Sequence, residues 1–155
     1  MLKNPYVKNI LLALAVAVFG FVLLNLTFLF NFLVVKIIGL FVSDEFMSTH
    51  QWQWFPMMRH ILFLIIIGLI SWPIFRLKLS VLFKAIFMTV PVAVFLVTIG
   101  IFLYEWPIVP YLVGGFFTLL VLFCFYRTKQ PWLYYYSVIL IALTLMIFTL
   151  LGGEI

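Results

Sequence analysis

The feature that most constrains this chain is the length of its apolar runs. From Ile10 to Val35 no Asp, Glu, Lys, Arg or His interrupts the sequence, and comparably long runs follow. A core strand or core helix needs far fewer apolar residues. Crossing a hydrocarbon layer about 30 Å thick at 1.5 Å of rise per residue takes about 20. Composition leads to the same place. With 68% of 155 residues apolar and only 8% charged, there are too few charged side chains to build a polar exterior. The sequence therefore reads as an all-α integral membrane protein, with a mean hydropathy of +1.35.

Five candidate spans follow, at about 10–35, 56–75, 79–104, 109–126 and 132–151, with an outer loop over 43–55. The second needs its proline. Ile61–Phe75 alone reaches only about 22 Å, whereas a start at Pro56 uses the first helical turn, where a missing N–H is harmless. Arg59 and His60 then fall in the outer interface, where a long basic side chain can snorkel. The N-terminus resembles a leader, since Lys3 and Lys8 precede Ala13, Ala15 and Ala17 in an A-x-A pattern. Those alanines come too soon after Lys8, and the apolar run continues to Val35. The expectation is an uncleaved first span. No repeat, linker or low-complexity segment divides the chain, so residues 1–155 read as one domain.

Orientation comes from Lys and Arg. Five spans place Lys3, Lys8, Arg76, Lys78, Lys84, Arg127 and Lys129 on one side, seven of the nine basic residues. Lys36 and Arg59 fall on the other, with Asp44, Glu45, Glu105 and Glu154. A four-span model would put the basic loops on opposite sides. The bias predicts an N-terminus inside and a C-terminus outside. Short inner loops and this bias suit a cell membrane, specifically a bacterial cytoplasmic membrane. Trp52, Trp54, Trp72, Trp106, Trp132, Tyr104, Tyr111, Tyr126 and Tyr134–Tyr136 lie near span ends, where amphipathic rings favour the headgroup region.

Helices in lipid meet through small and weakly polar residues. In the first span Ala13, Ala17, Gly20, Leu24, Thr27 and Asn31 recur at spacings of four and three, a heptad-like seam. Asn31 needs a partner, and the expected one is a hydrogen bond across helices. Thr89, Ala93, Val97 and Gly100 mark a looser seam in the third span, with Pro91 as an expected kink. Ala142, Thr149 and Gly153 mark the fifth. Gly114–Gly115, after Pro107 and Pro110, permits a tight turn and close entry of the fourth.

Chemistry-bearing patterns are scarce. No ionisable residue occupies the middle third of any span, which counts against an ion-coupled carrier acting alone. There is no H-E-x-x-H, G-x-S-x-G or Gly-rich phosphate loop. Adjacent Asp44 and Glu45 would diverge on a helix and make a poor acid–base pair. The single Cys124 gives neither a disulfide framework nor a Cys-rich metal site. The net charge of +5 flanks apolar segments rather than clustering, so nucleic acid is not expected.

One motif remains, in the outer stretch Ser43–His60. Ser48 and Gln51 resemble a capping box, which would start a short interfacial helix. Met47 with His50, and Met57 with His60, repeat an M-x-x-H spacing that places thioether and imidazole on one helix face. Such a donor set suits Cu(I). The sequence as a whole predicts no enzyme and no cofactor. It reads as a non-enzymatic component of a membrane complex whose partners are the lipid bilayer and other membrane proteins, or a further copy of itself. A small transporter or channel subunit is the first alternative, and an outer-face copper-binding protein on Met47, His50, Met57 and His60 is the second.

Overall fold

The computed structural model describes residues 4–41, 55–106 and 108–151. Readings made on Lys3, Asp44, Glu45, Met47, Ser48, His50, Gln51, Trp52, Trp54, Pro107, Gly153 and Glu154 lie outside these. The described residues form five helices: α1 (Pro5–Phe41), α2 (Phe55–Arg76), α3 (Val81–Phe102), α4 (Val109–Arg127) and α5 (Trp132–Leu150). All five are long and apolar enough to cross a membrane.

Local signals explain where the helix ends differ from the expected spans. α1 begins at Pro5 rather than near Ile10, because Asn4 acts as a cap: its Oδ1 accepts the Tyr6 N–H at 3.0 Å. Pro5 then occupies the first helical position. At 37 residues α1 exceeds a minimal span. Lys8 and Lys36 on it are separated by about 42 Å of helix, close to a bilayer with its headgroups. α3 starts at Val81 rather than Leu79, since the Ser80 hydroxyl accepts the Phe83 N–H at 3.2 Å and the Ser80 backbone is extended. α3 stays helical through Pro91, and α2 through Pro73.

The turn from α4 to α5 is closed by its own backbone. Gln130 N–H bonds Phe125 O at 3.0 Å and Lys129 N–H bonds Tyr126 O at 3.2 Å. With Lys129 at φ 50°, this is a Schellman ending in which a lysine holds the left-handed position that glycine usually takes. Pro131 follows and starts the next helix.

Packing is organised around α3, which packs against each of the other four described helices. Near the α2–α3 connection, Val16, Ala85, Leu133 and Tyr134 join α1, α3 and α5. Phe63, Ile67, Val90 and Val94 join α2 to α3 beside Leu23 and Leu24 of α1. Val92, Ala93, Val138 and Ile141 join α3 to α5, with Leu122 and Phe125 of α4 against them. α4 itself has no buried residue. Its contacts run along one edge, where Phe117 stacks on Phe95 at 4.1 Å and Phe125 lies 6.0 Å from Tyr134.

The aromatic residues divide into two groups. Trp72, Trp106, Trp132, Tyr104, Tyr111 and Tyr126 are exposed at helix ends. Tyr134 is different: it is 7% exposed and packs in the core, because the first turn of α5 turns it between Phe125 and Ala85. Arg76 covers Trp72 at 4.3 Å from the ring centre, and Lys84 Nζ donates to Phe75 O at 2.8 Å. Lys84 thereby satisfies a free carbonyl in the last turn of α2, and Arg76 adds positive charge at the same helix end, where free carbonyls favour it.

Candidate functional site

α1 has two faces that differ sharply in burial. Its inner face meets α3. Val16 and Gly20 are buried there, and Thr27 is 9% exposed with its hydroxyl donated to Leu23 O at 2.7 Å. Gly20 marks the tightest approach: a Cβ placed there would sit 3.0 Å from Thr89 Cγ2 and 3.3 Å from Thr89 Oγ1. Thr89 is fully buried and donates its hydroxyl to Ile86 O. Ala13, Ala17, Leu24 and Asn31 are half-buried along the same face. The bridge expected of Asn31 is not made among the described residues. Its Oδ1 is enclosed without a hydrogen-bond partner, as is Arg59 Nε on α2. Beside Asn31 in sequence, the Phe30 ring lies 6.2 Å from that of Phe63 on α2.

The opposite face of α1 carries a feature not singled out in the sequence reading. Leu11, Leu14, Val18, Phe21, Asn25, Phe28 and Phe32 recur at alternating spacings of three and four, and all are exposed. Six are apolar. The seventh is an amide within a turn of the helix midpoint. Asn25 Nδ2 donates to Phe21 O at 2.8 Å, which leaves one N–H and Oδ1 without a partner among the described residues. The signal was available in sequence as a second heptad register, offset from the small-residue seam. Its bulky side chains hide it, because small residues are what usually mark a packed face in lipid.

A second feature lies between α3, α4 and α5. A cavity of about 680 Å³ is lined by Leu96, Gly100, Tyr104, Gly114, Gly115 and Ala142, among others. Gly114 approaches Leu96, with a Cβ position 3.4 Å from Leu96 Cδ2, while Gly115 faces open space. Thr118 and Thr149 also line it, yet each donates its hydroxyl to a carbonyl of its own helix, Gly114 O and Leu145 O. The cavity therefore presents a mostly apolar wall.

Between helices, Ser137 supplies the polar lock that the small-residue seams did not reveal. It is fully buried, and its hydroxyl lies 2.7 Å from Ala85 O on α3 and 2.9 Å from Leu133 O on α5. A serine in the run Tyr134–Tyr136–Ser137 gives no periodic signal of its own.

Of the soft-metal set, Met57 and His60 fall on the first two turns of α2, three residues apart and both half-buried. Met47 and His50 lie outside the described residues. Among the described residues no group of three or more His, Cys, Asp or Glu side chains stands close enough to hold a metal ion. Comparison with protein-family models, curated proteins and solved structures returns no match to this chain. What the fold defines is its class: an all-helical protein of five membrane-length apolar helices.

Proposed function

We propose that this protein is a non-enzymatic multi-pass membrane protein that acts as an interaction component of a membrane complex. One observation carries the reading: a mid-helix amide, Asn25, stands on an exposed apolar face of α1 with part of its hydrogen-bonding capacity unmet. In hydrocarbon no water can take that role, and each unpaired group costs several kcal/mol. A second helix bearing a polar group resolves the conflict.

In this reading the chain crosses the membrane five times, N-terminus inside and C-terminus outside, in a cell membrane of the bacterial cytoplasmic type. The Lys/Arg bias supports the orientation. So does the gathering of Arg76, Lys84 and Arg127 at the ends of α2, α3 and α4 that share one side. Native mass spectrometry of the protein extracted from its own membrane in mild detergent tests the reading. The expected result is a stoichiometric bound subunit whose occupancy falls in Asn25→Leu. A lone monomer, unchanged by the substitution, would remove the proposal.

A second reading, a small transporter or channel subunit, has the cavity between α3, α4 and α5 in its favour, with glycines thinning its wall. Its test is solute flux in proteoliposomes. Flux blocked by Gly115→Leu would support it; absence of flux for every solute class would end it.

A further inference from the structure

We propose that the occupant of the exposed α1 face is a second copy of this chain, packed in parallel about a two-fold axis normal to the membrane. The inference rests on the membrane-spanning, partner-binding reading above and names the partner.

Four observations carry it. The seam Leu11, Leu14, Val18, Phe21, Asn25, Phe28, Phe32 extends over about 32 Å of helix, matching the hydrocarbon thickness. It lies opposite the face that Val16, Gly20 and Thr27 bury against the rest of the fold, so the fold does not cover it. No charged residue occurs between Lys8 and Lys36, so two copies approach without repulsion at this face. Finally, an amide is its own complement, with both donor and acceptor.

Symmetry selects the arrangement. Two copies inserted by the same charge rule point the same way, so their α1 helices are parallel. A two-fold interface is isologous and brings equal positions together. In a parallel heptad seam, positions of this kind face their counterparts. Asn25 thus meets the partner's Asn25. The N–H not used on Phe21 O donates to the facing Oδ1, and the reciprocal bond forms by symmetry. The bulky Leu, Val and Phe positions favour a left-handed crossing near 20° over the closer right-handed glycine type. Asn25 fixes the register, since any slip along the seam returns both amides to an apolar surface.

Oxidative cross-linking in native membranes tests this. Single cysteines replace Leu14, Phe21 or Phe28 on the seam, and Phe19 or Leu26 on an exposed flank, each in a Cys124→Ser background. The expected result is disulfide dimers from L14C, F21C and F28C, and monomer from F19C and L26C. Asn25→Leu added to F28C should lower the association constant roughly three- to tenfold, and Asn25→Gln should largely retain it. Equal dimer at flank and seam positions would overturn the proposal. Adducts of the seam cysteines with a different polypeptide would overturn the second copy but keep the interaction reading. Monomer at every position, with the protein correctly inserted by external cysteine labelling, would overturn both.

Discussion

At the scale of single residues, two contacts hold α3 in place, and each makes a separate prediction. The first is Gly20 against Thr89. Because Thr89 is fully buried and its hydroxyl is committed to Ile86 O, it has little room to retreat from an added methyl. Gly20→Ala should lower stability by about 1–3 kcal/mol, the usual range for overpacking. Adding Thr89→Ser removes Cγ2, the nearest atom, and should recover most of the loss. Gly68→Ala is the control: nothing lies within 4 Å of its Cβ position, so it should be neutral or slightly stabilising, alanine being the better helix former. Unfolding in mixed detergent micelles reads all three. The second contact is Ser137 to Ala85 O. Ser137→Ala deletes a cross-helix hydrogen bond while leaving the helix path open. Interhelical bonds of this kind average about 0.6 kcal/mol, so a loss of about that size is expected in the same assay.

At the scale of elements, helix ends carry the information. Lys129 sits at φ 50°, in the left-handed region where a β-carbon is unfavourable. Lys129→Gly should relieve that strain and stabilise the α4–α5 hairpin by about 0.5–1 kcal/mol, read as a higher midpoint in detergent unfolding. A fall in the midpoint would mean that the lysine head group contributes more at this position than its backbone strain costs. The helices also differ in how firmly they are held. α3 packs on every side, whereas α4 buries no residue and touches α3 and α5 along one edge. Hydrogen exchange should therefore be slowest through Ala85–Val94 and faster along Leu112–Phe123, because local opening follows the density of buried contacts. Equal protection in both segments would contradict this packing order.

For the whole molecule, charge and packing answer different questions. The distribution of Lys and Arg addresses which way the chain is inserted. In a Cys124→Ser background, a cysteine at Glu105 should react with an impermeant maleimide from outside the cell, and one at Lys78 only after the membrane is opened. The reverse pattern would invert the proposed topology. Packing, by contrast, decides which surfaces remain. A bundle centred on α3 leaves the outer face of α1 and the cavity beside α4 uncovered. At both, a partner or ligand can add contacts without disturbing the core.

What the sequence alone determined is the count of membrane-length apolar helices among the described residues, five, though not their ends. The cause is one strong term, the transfer of uninterrupted apolar runs out of water, which acts on each segment independently. It also supplied helix starts wherever a cap stood beside a proline or serine, as at Asn4–Pro5 and Ser80, although the expected spans passed over both. The rest required three dimensions. In chains this uniformly apolar, hydropathy barely distinguishes one side of a helix from another, so it does not identify the face that packs. Small residues gave a partial guide along α1, where Gly20 and Thr27 are buried but Val16, a larger residue, is buried more completely than Ala13 or Ala17. Tyr134 entered the core, and among the described residues Asn31 lacks its expected bond, because helix crossing angles and neighbours determine those outcomes. Asn25 shows the division most clearly. Its sequence position gives its depth, and only the tertiary structure turns it away from the bundle, where its amide becomes available to something outside.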